Sequence, residues 1–521
     1  MAASLCKGDQ LLTEPKKLTE TWVKVLDQTK CIGCHACTTA CKSENDVPLG
    51  VTRTYVKAVE VGVFPHVRRN FQVTRCNQCA NPPCVAACPT GAMYQRDDGI
   101  VDFDKSICIG CKACMAACPY DAIFINPDDH SAEKCNFCAH RLEVGLEPAC
   151  VVVCPTEAIM IGRLEDPTAA ATKLIHRSSV SVRSPEKGTR PKLYYKGAHQ
   201  ATLDPIAARR PDGDTYMWSE IQRGANVEVS GHPSSFHDPN LSAEAKLAYD
   251  VAHSAPWGWK VSLYTWTKGI AAGAYLVPLL LALLGRLPWS SPVVRFVGPI
   301  TSLVFLGITG ILLIVDLKHP ERFHLIFLKG RLQSWLVRGA WGLMLFGGVV
   351  TLDLVAAIFR ARTLEEVLAV PGIPLACLAA LYTAFLFAQA KARDLWQNPL
   401  LPPHLVLQAL LLGSAITLFG VAAANPLHVA YLDRIVSALA AINLLMVIGE
   451  ATITHPTAKA HLASYEMTRG RFRWYFVAGL ILNVIAILTP VVGMDLGVAA
   501  LICILPLEHA FVQAGQAVPL A

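Results

Sequence analysis

The sequence predicts an α+β domain rich in cysteine, followed by an all-α bundle of eight transmembrane helices. Three observations predict this fold class. Sixteen of the 19 cysteines lie between residues 31 and 154. Hydrophobic residues make up 53% of the 521-residue chain and charged residues 17%, which is unusual for a soluble protein. From residue 263 onwards, apolar runs approach the roughly 20 residues that cross about 30 Å of hydrocarbon.

These shifts in composition divide the chain into three parts. We expect the cysteine-rich domain at residues 1–165, an extension and linker at 166–256, and the membrane domain at 257–521. The opening "MAASLCKGDQLLTEPKKLTE" contains no apolar core of signal-peptide length and no twin-arginine pair, so we expect the first domain in the cytoplasm. The net charge of +6 includes no dense basic run, which argues against nucleic acid as a partner.

The clustered cysteines form four groups of four. The first and third groups, "CIGCHACTTAC" and "CIGCKACMAACP", have the spacing C-x2-C-x2-C-x3-C, and the second, "CNQCANPPCVAACP", widens one gap. The fourth group is split into "CNFC" and "CVVVCP". This spacing is typical of bacterial ferredoxins, in which three thiolates on a tight turn bind one [4Fe–4S] cluster and the fourth binds another. The candidate metal ligands are Cys31, Cys34, Cys37, Cys41, Cys76, Cys79, Cys84, Cys88, Cys108, Cys111, Cys114, Cys118, Cys135, Cys138, Cys150 and Cys154.

Two other uses of clustered cysteines are a structural zinc site and a secreted disulfide scaffold. Zinc needs only four ligands in two pairs, and it gives no reason for the repeated third and fourth cysteines. Disulfides are rare in the cytosol, where thiols are kept reduced. Sixteen thiolates supply four [4Fe–4S] clusters with four ligands each, so we expect four clusters. We interpret Cys6, Cys377 and Cys503 as ordinary small apolar residues.

The run from Cys31 to about Tyr195 resembles the four-cluster electron-transfer subunit of molybdopterin oxidoreductases, the family of dimethyl sulfoxide, polysulfide and tetrathionate reductases. The phrases that carry the resemblance are "CNQCANPPCVAACPTGA", "KCNFCAHRLEVGLEPACVVVCPTEAI" and "GTRPKLYYKG". It implies a ferredoxin-like fold, a separate molybdopterin-containing catalytic subunit, and no [3Fe–4S] centre, because the third cysteine group is intact.

The resemblance also implies that the groups exchange their fourth ligands in a nested way. Each cluster would then take three cysteines from one group and one from another. The implied sets are Cys31, Cys34 and Cys37 with Cys154; Cys135, Cys138 and Cys150 with Cys41; Cys76, Cys79 and Cys84 with Cys118; and Cys108, Cys111 and Cys114 with Cys88.

The segment between the two predicted domains has the composition of loop. Its phrases "ARRPDGD" and "HPSSFHDP" are rich in turn-forming residues, and its histidines show no recurring ligand spacing. We predict one short helix from about Ser242 to Ala252. Trp257 and Trp259 then occupy the position of an interfacial aromatic anchor.

Eight apolar runs follow this segment. A large helical bundle in water would need polar faces at the helical period, and these runs mostly lack them. The predicted spans are approximately 263–285, 296–315, 339–359, 368–390, 404–424, 435–454, 474–491 and 493–512.

The basic residues in the loops predict the orientation of the spans. Eight spans return the chain to its starting side. Eleven basic residues lie in the loops on the side of the cysteine domain: Lys318, Arg322, Lys329, Arg331, Arg338, Lys391, Arg393, Lys459, Arg469, Arg471 and Arg473. Five lie in the opposite loops: Arg286, Arg295, Arg360, Arg362 and Arg434. By the positive-inside rule, we expect a multi-pass protein of the inner (cytoplasmic) membrane whose cysteine domain faces the cytoplasm.

Residues 257–520 resemble an NrfD-like membrane anchor of the polysulfide-reductase type, which interacts with quinone. The matching phrases are "WGWKVSLYTWTKGIAAGAYL", "DLKHPERFHLIFLKGRLQSWLVRGAW", "DLWQNPLLPPHLVLQALLLGSA" and "AFVQAGQAVPL". The resemblance implies bound quinone or quinol, either menaquinone or ubiquinone. Two features depart from it: "DLKHP" replaces an expected glycine and arginine around the proline, and two parts that are commonly separate chains are fused. The fusion predicts a permanent contact between clusters and membrane domain.

Polar residues within the spans are costly, and each is therefore a candidate for function. Quinone reduction needs donors and acceptors at both carbonyl oxygens, together with titratable groups that lead to water. The candidate quinone-binding residues toward the cysteine-domain side are Tyr264, Lys268, Asp316, His319, Tyr382 and Glu450. Asp316 and His319 would share one face if the second helix continues to His319. The alternative is that such residues snorkel or pair at the interface.

Two further ionisable residues lie within the spans. Glu508 lies near the end of the eighth span, and Asp353 lies too deep in the third to reach the interface easily. We predict a role in proton movement for Asp353, with a buried hydrogen-bonded pair as the alternative. The spans hold hardly any histidines that could be axial ligands, so we expect no haem. The histidines near the spans lie at their ends or in loops: His319, His324, His404, His428, His455 and His461.

The sequence therefore predicts an electron-transfer and membrane-anchor subunit. It would join a molybdopterin-containing catalytic subunit to the membrane quinone pool through four [4Fe–4S] clusters, and it has no recognisable pocket for the terminal substrate. The alternative is a stand-alone quinone-linked ferredoxin-type oxidoreductase that is fed by a soluble carrier. A proton pump that clusters merely regulate would explain the spans but not four complete cysteine groups.

Overall fold

The chain folds into an α+β part that holds the cysteines and a helical part that holds the apolar runs, which confirms the predicted fold class. The structure is a computed structural model and describes residues 21–209, 245–424 and 429–521. Cys6, His428 and the predicted loop "HPSSFHDP" lie outside these residues. The strands are β1 Trp22–Asp27, β2 Thr54–Val63, β3 His66–Arg75, β4 Met93–Gln95, β5 Val101–Phe103, β6 Ile123–Ile125, β7 Ala132–Lys134, β8 Ile159–Arg163, β9 Val180–Ser181, β10 Leu193–Lys196 and β11 Lys246–Tyr249.

The largest sheet turns one face toward the cysteines. Its strand order is β8-β1-β10-β9, with β1 parallel to β10 and antiparallel to β8. Because side chains alternate along a strand, Val23 and Val25 pack against Ala171 on one side of β1. On the other side Lys24 donates a hydrogen bond to Cys150 Sγ at 3.6 Å. The alternation of side chains along β1 thus places the Lys24 ammonium group beside Cys150, a candidate cluster ligand.

The second and third cysteine groups occupy two similar units, each a cysteine loop, a five-residue helix and a two-stranded hairpin. The hairpins are β4-β5 and β6-β7. Cys88 and Cys118 follow their helices in an extended conformation, and a proline after each prevents the helix from continuing. The helices of this part are α1 Ala36–Glu44, α2 Pro83–Ala87, α3 Ala113–Ala117, α4 Ala139–Leu142, α5 Ala149–Val152, α6 Ala170–Arg177 and α7 Gln200–Leu203.

The segment 166–256, expected to be an extension and linker, adds α6, β9, β10, α7 and β11 to the α+β part. The helix predicted at Ser242–Ala252 is wrong over its described residues, because β11 is a strand. It pairs antiparallel with β2 at the edge of the sheet β11-β2-β3. Leu247 is buried there with Val59, so tertiary pairing overrides a local helical preference.

The membrane part consists of long helices. Seven helices in the described ranges are long and apolar enough to cross a membrane. There are eight spans if the bent pair Ala458–Thr468 and Arg473–Ile487 counts as one. These bounds confirm the predicted bundle to within a few residues in most spans. The helices are α8 Trp259–Leu283, α9 Gly298–Val315, α10 Leu325–Leu328, α11 Trp335–Ile358, α12 Arg362–Gln389, α13 Leu401–Ala424, α14 Val429–Thr452, α15 Ala458–Thr468, α16 Arg473–Ile487, α17 Thr489–Val492 and α18 Gly497–Ala517.

The seventh span differs from its prediction, 474–491. α16 ends at Ile487, and its 15 residues extend only about 22 Å. α15 and α16 meet at an angle of 68°. At the break, Glu466 Oε2 accepts a hydrogen bond from the backbone nitrogen of Arg471 at 3.1 Å, which holds the turn. A side chain at Gly470 would collide with Glu466, so the turn requires glycine there.

Two glycines bring α8 and α13 together in the centre of the bundle. A Cβ atom at Gly273 would lie 1.9 Å from the carbonyl oxygen of Ala409, and one at Gly413 would lie 2.1 Å from that of Gly273. Small residues allow this backbone contact, as is common between membrane helices. The polar residues on these two helices are consequently held close together.

Candidate functional site

One cavity in the α+β part is lined by four cysteines from two different groups. They are Cys108, Cys111 and Cys114 of the third group and Cys88 of the second. This is one of the four sets that the nested exchange implies. The loop reaches it because Gly110 adopts a left-handed conformation, with φ 65°.

A second cavity is lined by Cys31, Cys34 and Cys37 of the first group and Cys154 of the fourth. This is a second implied set, and its members come from opposite ends of the cysteine-rich sequence. Cys34 is exposed, whereas Cys37 is buried. The set therefore lies at the surface of the molecule.

The remaining eight candidate ligands also approach one another in the implied sets. Burial, together with the neighbouring Cys135, Cys150 and Cys138, raises the pKa of Cys41 to about 12. The Asn45 amide nitrogen lies within 3.7 Å of Cys41 Sγ and 3.9 Å of Cys138 Sγ.

In the last set, burial raises the pKa of Cys79 to about 12, and Cys76 and Cys118 contribute as well. The pKa of Cys84 lies well above its usual value, first through burial and then in part through Cys76 and Cys118. Neutral thiols are thus strongly favoured in these positions unless a positive charge is present.

The surroundings of the cysteines suit an anionic metal–thiolate cluster. Backbone N–H groups donate to sulfur at 3.3 Å from Met93 to Cys88 and at 3.4 Å from Ala132 to Cys108. Burial raises the pKa of Cys150, but Arg75 and Lys24 outweigh it and lower the pKa to about 7. Arg75 Nη1 lies 3.0 Å from Cys150 Sγ. Such buried cations require compensating negative charge nearby, which cluster thiolates would supply.

The cysteine side chains surround cavities and do not converge on the position of a single metal ion. Among the described residues, no group of three His, Cys, Asp or Glu side chains is arranged to hold one metal ion. A single zinc ion needs sulfur atoms at about 2.3 Å, whereas a cubane holds its four thiolates farther apart. The residues therefore fit iron–sulfur clusters better than mononuclear zinc.

The third cysteine loop rests directly on the membrane part. Lys112 pairs with Asp316 at 3.1 Å, and the backbone nitrogen of His319 donates to Ile109 at 3.2 Å. Trp257 Nε1 donates to the carbonyl oxygen of Cys111 at 3.3 Å. The cavity with Cys88 is consequently the one next to the helices.

Two tryptophans were predicted to be interfacial anchors, and for Trp257 this is wrong. Trp257 is buried between the two parts of the chain, where it stacks on Trp396 and lies against Phe387. The contact with the cysteine loop removes it from the bundle surface. Trp259, the first residue of α8, is 54% exposed.

Asp316 and His319 do not form the shared helix face that was predicted. α9 ends at Val315, because the following backbone pairs with the cysteine loop and Pro320 ends any further helix. His319 Nε2 lies 2.8 Å from the carbonyl oxygen of Asp129, and its Nδ1 lies 2.8 Å from Glu321. Both residues fasten the α+β part to the membrane part.

Three of the predicted quinone residues do come together inside the bundle. Lys268 Nζ donates to Thr383 Oγ1 at 2.7 Å and to the carbonyl oxygen of Ala380 at 2.8 Å. It lies 4.7 Å from the centre of the Tyr382 ring. Tyr264 is buried beside Tyr382 and Thr383. We call Tyr264, Lys268, Tyr382 and Thr383 the Lys268 cluster.

Glu450 lies in a neighbouring polar group, with His404 and Asn443, that sequence reasoning missed. Its Oε1 is 3.2 Å from His404 Nδ1, and His404 Nε2 is 3.0 Å from Asn443 Oδ1. His404 was considered only as a haem ligand near a helix end. The signal that could have found this group is "HLVLQ", which places His404 and Gln408 four residues apart on one helix face.

Asp353 is buried near the opposite end of the bundle, beside Tyr275. Glu365 also lies near it and pairs with Arg295 at 2.6 Å. The predicted alternative, a buried hydrogen-bonded pair, and the predicted role in proton movement are both compatible with this position. The described residues around it form a polar group distinct from the Lys268 cluster.

Comparison with known proteins decides the family. Residues 249–518, more than half of the chain, match the family described as polysulphide reductase, NrfD. The protein belongs to the NrfD family. Residues 67–164 match the 4Fe-4S dicluster domain. The molecule therefore joins a [4Fe–4S] electron-transfer domain to an NrfD membrane anchor, as the two resemblances implied.

Several curated relatives are subunits of reductases, and each resembles less than half of this NrfD-family protein. A tetrathionate reductase subunit of Salmonella typhimurium is 41% identical over 204 residues, covering 38% of this chain and 80% of that protein. A polysulfide reductase subunit of Wolinella succinogenes is 44% identical, covering 32% and 90%. The iron-sulfur subunit of a putative dimethyl sulfoxide reductase of Halobacterium salinarum is 36% identical, covering 42% and 96%.

The matched dicluster region leaves the first cysteine group of this NrfD-family protein outside its bounds. That group nevertheless contributes to two sets. Cys31, Cys34 and Cys37 share a cavity with Cys154, and Cys41 lies near Cys138. The cysteine arrangement thus extends beyond the matched region on its N-terminal side.

Proposed function

We propose that the chain carries electrons between a molybdopterin-containing catalytic subunit and the membrane quinone pool through four [4Fe–4S] clusters. The observation that supports this most directly is that one cysteine set reaches the surface of the molecule while another contacts the membrane part. One set includes the exposed Cys34. Another includes Cys111, whose backbone carbonyl contacts Trp257 of the membrane part.

The ligands of the four clusters are the four sets of cysteines that approach one another in the fold. Each cluster, when bound, supplies one-electron transfer. The protein positions it, provides backbone N–H groups at the sulfurs, and balances its charge with buried cations such as Arg75 and Lys24. Differences in these surroundings give each cluster its own reduction potential.

The quinone binds at the Lys268 cluster. Tyr264, Lys268 and Tyr382 supply an ammonium group and two hydroxyls, which suit a quinone carbonyl oxygen. All three lie on the side of the bundle that faces the cysteine domain, so a bound quinone stays near the cluster of Cys108, Cys111, Cys114 and Cys88. We assign Asp316 and His319 to the domain boundary rather than to the quinone, because Asp316 pairs with Lys112 and His319 contacts the backbone of Asp129.

The catalytic partner docks at the side of the exposed cysteine set. Ile32 and Val152 are 58% and 59% exposed beside Cys31 and Cys154, and they give this surface an apolar character. The names of the relatives support a reductase complex, and the resemblance to the molybdopterin oxidoreductase family supports the cofactor of the partner. The eleven basic residues in the loops on the side of the cysteine domain, against five opposite, support a cytoplasmic location for this partner.

Gentle anaerobic extraction of the full chain tests the proposal. We expect close to sixteen irons and sixteen acid-labile sulfides per chain, by the ligand count of four per cluster. A large molybdenum-containing subunit should co-purify, and a quinol should reduce the clusters. Eight irons would contradict four clusters. Absence of any molybdenum partner would instead favour a stand-alone quinone-linked oxidoreductase.

A further inference from the structure

A line of polar side chains leads inward from the edge of the bundle that faces the cysteine domain. At its outer end, Glu450 Oε1 accepts a hydrogen bond from Asn398 Nδ2 at 3.1 Å and lies 3.2 Å from His404 Nδ1. The Glu450 side chain keeps 12% of its surface exposed, whereas that of His404 keeps 5%. The outer end of the line is therefore more accessible than the histidine.

The line continues through Gln408 to Glu508. Gln408 Nε2 lies 3.4 Å from His404 Nε2, one helical turn along α13. Gln408 also contacts the carboxyl group of Glu508 on α18. Glu508 is buried, and its Oε2 has no hydrogen-bond partner among the described residues.

The inner end of the line reaches the Lys268 cluster. Glu508 and Lys268 are close enough for their charges to interact. Lys268 in turn donates to Thr383 beside Tyr382. The polar side chains thus extend from an accessible carboxylate to the proposed quinone site.

A purely structural network does not explain this arrangement well. Carboxyl groups inside a membrane bundle are expensive, whereas helix packing and hydrogen bonds between helices need only small and neutral polar residues. Glu450 and Glu508 therefore exceed what packing requires. The line also joins a partly exposed carboxylate to a buried one near Lys268, a continuity that packing does not require.

We infer that Glu450, His404 and Glu508 carry protons between the water on the cysteine-domain side and quinone bound at the Lys268 cluster. This inference rests on the proposed quinone function. Reduction of one quinone takes two electrons from the clusters and two protons, which form the two O–H bonds of the quinol. Oxidation of quinol reverses both transfers and returns two protons to the line.

The geometry of His404 suits passage of a proton. Its Nδ1 lies 3.2 Å from the Glu450 carboxylate, so the ring can exchange a proton with Glu450, and the amides of Asn443 and Gln408 hold the ring at Nε2. Because an amide does not take up a proton, the transfer from the ring to Glu508 runs through water held by these polar groups. The groups that face it are Glu450 and Asn443 from α14, Gln408 from α13 and Glu508 from α18. Glu508 then transfers the proton toward the quinone oxygen.

The test measures reduction of the clusters by menadiol in the full anaerobic complex, followed by rapid-mixing absorbance. His404→Gln, Glu450→Gln and Glu508→Gln should each slow this reduction by about 10²-fold, a typical contribution of a positioned acid or base. The dependence of the rate on pH should change, and a solvent deuterium effect should grow. Reduction by dithionite and the affinity for menadione should stay the same.

Two matched variants serve as controls. His324→Gln removes an exposed histidine on the same side of the membrane part, and Glu466→Gln removes a buried carboxyl group outside the line. Both should react with menadiol at the rate of the unaltered protein. A general effect of losing a histidine or a buried carboxylate would appear in the controls as well.

Each outcome decides the inference. If the unaltered protein reacts with menadiol and all three variants keep its rate and pH profile, the inference is wrong and the quinone function stands. If a variant loses only affinity for menadione, its residue binds quinone and does not carry protons. If the unaltered protein does not react at all, the proposed quinone function fails. Should His404→Gln not assemble, the two glutamate variants give the answer.

Discussion

The indole nitrogen of Trp257 donates a hydrogen bond to the backbone carbonyl of Cys111 over 3.3 Å, and this bond joins the cysteine domain to the membrane anchor. The Trp257 ring is held from the other side by Trp396 and Phe387, which stack on each other at 4.8 Å. Gln516 accepts a hydrogen bond from the backbone nitrogen of Trp257 at 3.1 Å. The position of a candidate cluster ligand therefore depends on aromatic packing in the bundle.

Replacing Trp257 with Phe should alter one cluster selectively. The variant keeps an aromatic ring but loses the hydrogen bond, which is worth about 1 kcal/mol. We expect a shift in the midpoint potential of the cluster of Cys108, Cys111, Cys114 and Cys88, measured by redox titration with electron paramagnetic resonance. Trp259→Phe, at an exposed position, is the control. Equal shifts in every cluster would contradict a local effect of Trp257.

The ion pair between Lys112 and Asp316 should stabilise the boundary between the two parts and leave quinone binding alone. Asp316→Asn should lower the thermal midpoint, because it leaves the half-buried Lys112 without its partner at a cost of about 1–3 kcal/mol. Lys112→Met should have a similar effect, and the double variant should add little, as a double-mutant cycle would measure. A loss of menadione affinity in Asp316→Asn alone would restore Asp316 to the quinone site.

Lys268→Met should weaken quinone binding. The substitution removes the ammonium group but keeps most of the side-chain volume, so the bundle should remain assembled. We expect the dissociation constant for menadione to rise by roughly tenfold or more, equivalent to at least about 1.4 kcal/mol. Fluorescence titration measures this. Lys260→Met, which removes a lysine that donates to Val315 at the helix end, is the control and should bind normally.

Cys88→Ser should alter the cluster held by Cys108, Cys111 and Cys114, because Cys88 lines their cavity. Cys108→Ser should alter the same cluster. Spectra of the two variants should therefore show the same centre changed, with the cluster of Cys76, Cys79 and Cys84 preserved. Two different centres changing in the two variants would refute the nested exchange.

His253 should stabilise the chain at neutral pH and lose this effect in alkaline solution. Burial lowers its pKa, but Asp250 and Asp121 outweigh burial and raise the pKa to about 9. His253 Nδ1 lies 2.6 Å from Asp121, and Tyr55 packs edge-on against the ring. Since the folded-state pKa is raised, the stabilisation is complete below the unfolded value near 6.5 and disappears as the pH rises through about 9.

Thermal unfolding of His253→Gln tests this effect. The variant should melt below the unaltered protein at pH 6, by up to about 3 kcal/mol in unfolding free energy. The two proteins should converge above pH 9. His199→Gln, which changes a histidine outside this carboxylate pair, provides the comparison. A difference that grows with pH would reverse the sign and exclude a charged His253.

The spacing of cysteines and the length of apolar runs were enough to predict the two parts of the fold. Both signals are local, since a cysteine loop and a membrane helix are each specified by a short stretch of sequence. The end of α9 was not predictable in this way. It depends on the pairing of His319 with Ile109, more than two hundred residues earlier in the chain. β11 was missed for the same reason, because its partner is β2.

The candidate quinone site was predictable in part. Tyr264, Lys268 and Tyr382 were found because polar residues in apolar spans stand out. His404 was considered only as a haem ligand and set aside because it lies near the end of a span, whereas the fold buries it against Asn443. Glu508 was identified in the sequence, but its contact with Gln408 depends on how α13 packs against α18. Contacts between helices are not encoded in the hydropathy of either helix.

The seating of the third cysteine loop on the membrane helices has a consequence for biogenesis. Cys111 and Cys114 are buried, and Trp257 and Asp316 close the loop from the membrane side. Iron and sulfide would then have to reach these cysteines before the loop settles on the helices. Maturation of the cysteine domain would then precede its docking, and a chain that inserts and folds without metal would trap an empty loop against its own anchor.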